Sequence, residues 1–162
     1  MKNTRGVTIY TDGACIGNPG PGGYAAILLY QGHRRELPGG YRRTTNNRME
    51  LMAAIAGLAA LKEKCMVTLY SDSQYLVNAM SRGWARRWRA NGWKRNRREK
   101  ALNADLWERL LRLCEYHEVH FDWVKGHAGT QENLRCDELA MQAARQPNLP
   151  IDEGYISQSK AQ

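Results

Sequence analysis

Asn46-Asn47-Arg48-Met49-Glu50-Leu51-Met52-Ala53-Ala54-Ile55-Ala56-Gly57-Leu58-Ala59-Ala60-Leu61 decides how the rest of the 162-residue chain is to be read. Leu51, Ala54, Ile55, Leu58 and Leu61 recur at helical spacing, so a helix with one buried face is expected. Thr44, Thr45, Asn46 and Asn47 offer side-chain oxygens to cap its first turn. Glu50 stands one position before the apolar stripe. Alone, it reads as a first-turn acid that complements the helix dipole. A chemical role for it needs partners from other parts of the chain.

Upstream, residues 7–11 alternate like a strand and end on Asp12. Residues 14–23 are dense in glycine and proline and read as a loop or tight turn. Residues 24–30 form an apolar core strand, and residues 34–41 a more polar third strand broken by Pro38-Gly39-Gly40. Short turns make these three an antiparallel meander. Downstream, residues 66–71 form a strand ending on Asp72, and residues 73–80 a short helix. An amphipathic helix at about 103–116, a strand at 117–124 and a helix at 131–145 follow. Three strands followed by alternating helices and strands imply an α/β mixed sheet covered by helices. Residues 1–151 are expected as a single domain, and residues 152–162 as a flexible polar tail.

Composition narrows the partners. Hydrophobic residues make up 43%, which excludes a disordered chain. The N-terminal residues lack an apolar signal region, and the longest nearly apolar run, residues 51–61, is too short for a bilayer. Cys15, Cys65, Cys114 and Cys136 show no metal-finger spacing and read as reduced thiols of a cytoplasmic protein. The net charge is +8. Residues 82–100 hold nine Lys or Arg and one acid, so the whole excess sits in that segment. A localised basic patch calls for a polyanion.

Asp12 and Asp72 each stand where a strand gives way to another element. Singly, each suits a turn or a helix cap. If their strands are parallel neighbours, the two carboxylates lie side by side at the edge where such sheets bind ligands. Asp137 borders the stripe formed by Cys136, Leu139, Ala140 and Ala143, with no basic residue one helical turn away. Its partner must come from elsewhere or be a cation. Four carboxylates without thiol or clustered imidazole ligands suit magnesium, with manganese as a substitute, better than zinc. Two such ions clamp the attacking and leaving oxygens of a phosphodiester. His127, in a glycine-flanked loop, is placed to carry a proton or else is a solvent-exposed histidine.

Five motifs occur in one order: Thr11-Asp12-Gly13 with the residue 17–23 loop, Thr44 through Glu50, Ser71-Asp72-Ser73-Gln74, Gly126-His127-Ala128-Gly129, and Asn133 with Cys136-Asp137. Together they resemble bacterial type-1 ribonuclease H over about residues 7–144. The resemblance implies a five-stranded mixed sheet in the order 3-2-1-4-5 with helices on both faces. It implies an endonuclease that hydrolyses the RNA strand of RNA–DNA hybrids and leaves 5′-phosphate and 3′-hydroxyl ends. Asp12, Glu50, Asp72 and Asp137 fall on the family's metal ligands, and His127 on its mobile histidine. Asn18, Thr45, Asn46, Asn47 and Gln74 fall on positions that contact the hybrid; neutral amides and a hydroxyl suit recognition of a ribose 2′-OH.

Residues 82–100 resemble the family's basic protrusion. Trp84 and Trp88 lie one helical turn apart, which suits mutual packing, with Trp84 also facing substrate. Arg86, Arg87, Arg89, Lys94, Arg95, Arg97 and Arg98 are expected to hold phosphates without reading bases. The segment is richer in arginine than the lysine-rich form of the family, and a guanidinium fork suits phosphate. The expected partner is therefore an RNA–DNA hybrid, with no membrane and the chain acting as a monomer. A non-catalytic hybrid-binding module explains the basic patch but leaves four carboxylates repelling the ligand. A DNA-cleaving enzyme of the same fold accounts less well for the amide-rich positions.

Overall fold

β1 (Arg5–Cys15), β2 (Gly20–Tyr30) and β3 (His33–Thr44) form the expected antiparallel meander. The computed structural model describes residues 5–125 and 130–161. β4 (Cys65–Ser71) pairs in parallel with the free side of β1, and β5 (Glu118–Trp123) in parallel with β4. The five-stranded order is β3-β2-β1-β4-β5, as the resemblance implied. The described helices are α1 (Asn46–Ala59), α2 (Gln74–Ser81), α3 (Trp84–Ala90), α4 (Ala104–Tyr116), α5 (Gln131–Ala144) and α6 (Glu153–Ala161). None of them is long and apolar enough to cross a membrane.

Side-chain alternation along β2 divides the core between the two faces of the sheet. Ala26 and Leu28 join α1, α2 and α4 on one face, whereas Ala25 and Ile27 meet Cys136, Leu139 and Ala140 of α5 on the other. Each fully buried Leu or Ile contributes roughly 1.5–3 kcal/mol. Thr45 caps α1, its hydroxyl accepting from the Arg48 N–H at 3.3 Å. The helix is buried on more than the one face that its stripe suggests. Every residue from Arg48 to Leu58 except Ala56 is buried, because the sheet covers one side and α4 packs on another.

Other details also depart from the sequence reading. The glycine-rich run from Gly20 to Gly23 is the start of β2 rather than a loop. At Gly23 a Cβ would collide with the Ala140 carbonyl, so glycine there admits α5 against the sheet. β3 runs unbroken through Pro38, because it is an edge strand on which a missing N–H need not cost a ladder bond. The expected flexible tail is instead helix α6. Asp152, just before it, is buried and accepts hydrogen bonds from Thr44 Oγ1 at 2.6 Å and Arg48 Nε at 2.8 Å. In the basic segment, Trp88 packs edge-on against Trp107 of α4, with ring centroids 5.8 Å apart. That contact ties α3 to the core.

Candidate active site

The parallel pairing of β1 with β4 sets the site's geometry. Tyr10 stands opposite Tyr70, their rings stacked at 5.0 Å, and two residues on along each chain lie Asp12 and Asp72. β4 stops at Ser71. β1 continues to Cys15 because β2 still pairs with it, so Asp12 lies within a strand rather than at its end. Thr11 Oγ1 donates to the Tyr70 carbonyl at 2.9 Å and holds the two strands together there. The indole N–H of Trp123 donates to the Asp72 carbonyl at 3.1 Å. Sequence reasoning did not single out Trp123; its only signal was its place at the end of the last strand.

Glu50 reaches the same point from α1. It is the fifth residue of that helix, beyond the first turn, so the dipole-complementing role falls away. The backbone N–H of Gly13 donates to Asp12 Oδ1 at 2.9 Å and to Glu50 Oε1 at 3.2 Å. At Gly13 a Cβ would lie 2.5 Å from Glu50 N and 2.6 Å from Met49 C. Only glycine lets α1 come this close to β1. Carboxylate oxygens of Asp12, Glu50 and Asp72 all lie within 4.8 Å of one another. Asp137, from α5, lines with Asp12, Asp72 and Asn133 a cavity of about 20 Å³. That is room for one water-sized group.

These acids are in an unfavourable state without a counter-ion. Burial, then the neighbouring Asp72 and Asp137 charges, pushes the Asp12 carboxyl up to about 8. Burial, then Asp12 and Asp72, holds Glu50 well above the usual carboxylate range. Glu50 Oε2 is buried with no hydrogen-bond partner among the described residues. A hard cation would answer both the mutual repulsion and the unpartnered oxygen.

The other expected residues separate into groups. Asn18 Oδ1 accepts from the Asn46 N–H at 3.1 Å, which brings Asn18, Thr45 and Asn46 together at the start of α1. Gln74 is exposed at the start of α2, just beyond Asp72. Asn47, Trp84, Arg87, Arg95 and Arg98 line a groove of about 1230 Å³ between α3 and α6. Lys94 and Arg97 are exposed in the same segment, as is Arg86 on α3. Arg89 points elsewhere: its guanidinium pairs with Glu108 at 3.3 Å and Glu115 at 3.1 Å, both on α4. His127 lies outside the described residues.

The family model RNase H matches residues 4–145. The chain is 68% identical over 150 residues to a ribonuclease H of Desulforamulus reducens, covering 93% of this chain and 94% of that one. The chain belongs to the ribonuclease H family. It is also 62% identical over 151 residues to the ribonuclease HI of Synechocystis, covering 92% of this ribonuclease H and 94% of the relative. Among solved structures, LC9-RNase H1, described as a type 1 RNase H with the type 2 active-site motif, superposes with a TM-score of 0.79 at 33% identity. That alignment covers 97% of this ribonuclease H and 82% of the other chain. LC11-RNase H1, solved in complex with an RNA/DNA hybrid, shares the fold with a TM-score of 0.66 at 22% identity. It covers 85% of this chain and 96% of that one. As a ribonuclease H, the protein is an endoribonuclease.

Proposed function

We propose that this ribonuclease H hydrolyses the RNA strand of RNA–DNA hybrids by magnesium-assisted phosphodiester cleavage, leaving 5′-phosphate and 3′-hydroxyl ends. The observation that carries the reading is the buried cluster of Asp12, Glu50 and Asp72, with its unpartnered Glu50 oxygen and Asp137 alongside. The donor set is all oxygen, which suits magnesium, with manganese as a substitute. Asp12, Glu50, Asp72 and Asp137 would hold the metal. Divalent ions bound there supply Lewis acidity at the scissile phosphate and activate water.

The chain's own residues orient this chemistry. The Gly13 N–H aligns one oxygen each of Asp12 and Glu50. Trp123 fixes the backbone of Asp72. His127 carries a proton to or from the reaction near neutral pH. Asn18, Thr45, Asn46, Asn47 and Gln74 contact the hybrid, their neutral groups reading the 2′-OH that separates RNA from DNA. Trp84, Arg86, Arg87 and Lys94 of the protrusion hold the backbone without reading sequence. Arg89 serves them indirectly by bracing α3 against α4. The protein works as a monomer in the cytoplasm, a reducing compartment that suits a chain whose four cysteines are scattered without paired spacing.

Gel analysis of an RNA–DNA hybrid carrying labelled RNA, with and without magnesium, tests the proposal. Cleavage of the RNA strand alone, only in metal, is the expected result. Intact RNA from folded protein in magnesium overturns it, and binding without cleavage leaves a hybrid-binding module. Cleavage of duplex DNA at a comparable rate would transfer the site to a different substrate.

A further inference from the structure

The C-terminal helix and the base of the basic protrusion meet in a polar cluster that the cleavage reading leaves unused. The protrusion departs from the fold at Gly83, φ 75°, and rejoins it at Asn103, φ 63°. Both are left-handed positions, the second occupied by one of the side chains that tolerate it. Asn103 is 4% exposed and has no side-chain bond to the α4 N-terminus that follows it. Its polar atoms are satisfied from elsewhere. Its backbone N–H donates to Gln158 Oε1 of α6 at 2.6 Å, and Gln158 Nε2 donates back to Asn103 Oδ1 at 3.3 Å. Its Nδ2 donates to the Tyr75 hydroxyl at 3.2 Å, which also accepts from Trp107 Nε1 at 3.0 Å.

The other end of α6 is fixed as well. Asp152 Oδ1 accepts from the Tyr155 N–H at 3.2 Å, capping the helix. The same carboxylate pairs with Arg48 of α1, whose guanidinium also reaches Asp105 at 2.7 Å. One end of α6 is thus bound beside the start of α1, and its second half holds the point where the protrusion rejoins. The groove lies between them, with Arg87 and Lys100 on the protrusion side, Gln158 and Ala161 on α6, and Asn47 at the rim.

We infer that α6 is a strut: through Gln158 it fixes Asn103 and so sets the position of the basic protrusion across the groove from the start of α1. Gln158 is then a positioning residue for hybrid binding, acting through Asn103. The inference rests on the hybrid-cleaving reading above. A left-handed junction held by side-chain bonds from another element is a hinge whose angle that element controls. Removing the bonds loosens the grip on the nucleic acid without touching the carboxylates.

The test uses the full chain and Gln158→Met, which keeps side-chain length but loses the amide. KM for a labelled RNA–DNA hybrid should rise roughly five- to tenfold, the scale of one or two lost hydrogen bonds, with kcat within about twofold. Amides of residues 91–103 should exchange hydrogen faster by a similar factor, a readout that needs neither substrate nor metal. Tyr75→Phe, which removes the acceptor on the other side of Asn103, should speed exchange in the same segment. Unchanged exchange in 91–103 overturns the strut. If KM rises nonetheless, Gln158 touches the hybrid directly. Faster exchange with unchanged KM overturns its part in binding. A wild-type chain that leaves hybrids intact fails the cleavage reading, and the exchange comparison still judges the strut by itself.

Discussion

Asp12 from a strand and Glu50 from a helix share one donor: the backbone N–H of Gly13, 37 residues before Glu50 in sequence. Two neighbouring acids are thereby held with one oxygen apiece oriented, while Asp12 lines the cavity and Glu50 Oε2 is left buried without a partner among the described residues. The arrangement depends on a position with no side chain.

Gly13→Ala should therefore disable the enzyme without removing any carboxylate. The added carbon would lie 2.5 Å from Glu50 N, and the obstacle is backbone, so α1 must shift. Overpacking of this kind costs about 1–3 kcal/mol. A lower urea midpoint together with lost hybrid cleavage is expected. Wild-type turnover in this variant would remove Gly13 from the account.

Asp12→Asn should trade activity for stability. The amide removes the cost of burying an ionisable group beside Asp72 and Asp137, so the metal-free variant should melt higher than the metal-free wild type at neutral pH. Cleavage should fall about 100-fold or more, with hybrid binding retained. Magnesium should raise the wild-type melting temperature and leave that of the variant nearly unchanged. Calorimetry with and without metal reads all of this except turnover. Equal stabilisation of both proteins by magnesium would place the ion elsewhere.

His117 gives a pH dependence independent of the carboxylates. Its Nδ1 accepts from the Cys65 N–H at 3.1 Å, and burial holds its pKa below the ordinary 6.5. Between the folded value and 6.5 the unfolded chain binds more protons, so stability rises with pH there. The contribution is complete above about 6.5 and is lost as pH falls through and below that value. The carboxylate cluster is common to both proteins, so the difference in urea midpoint between wild type and His117→Gln, followed from pH 5 to 8, should rise with pH up to about 6.5 and then level off. Identical profiles would contradict it.

The arginines of α3 should divide by direction. Arg87 lines the groove, so Arg87→Glu should lower hybrid affinity and reduce the salt slope of binding by about one ion. Arg89 is bound to Glu108 and Glu115, so Arg89→Ala should leave the slope unchanged and lower the melting temperature slightly. Filter binding at several salt concentrations separates the two. An equal change of slope in both variants would show that α3 does not orient them differently.

What could be read in advance was local. Alternation, helical periodicity and turn residues place the elements, and the motifs around Asp12, Glu50, Asp72 and Asp137 identify the family. What could not be read depends on distant partners. Pro38 looks like a strand break until β3 is known to be an edge. Arg89 looks like a phosphate contact until α4 brings two glutamates to it. Residues after Asp152 look loose because their polar side chains show no stripe, and Arg48 and Asn103, which receive them, lie far away in sequence.

The separation between Arg48 and Asp152 has a consequence for biogenesis. Arg48 is 1% exposed, and its countercharges lie 57 and 104 residues further along the chain. While a ribosome is still making the middle of the protein, α1 exists without the groups that neutralise its guanidinium. A buried cation without partners is strongly disfavoured, so the newly made α1 stays partly hydrated at that end. Asp105 supplies the first countercharge, and the start of α1, where Thr45, Asn46 and Asn47 stand, gains the full set only when Asp152 has emerged. The end of α1 proposed above to meet the hybrid is thus completed by a residue made 104 positions after Arg48, and a nascent chain that stops short of it carries the motifs of the family without their final placement.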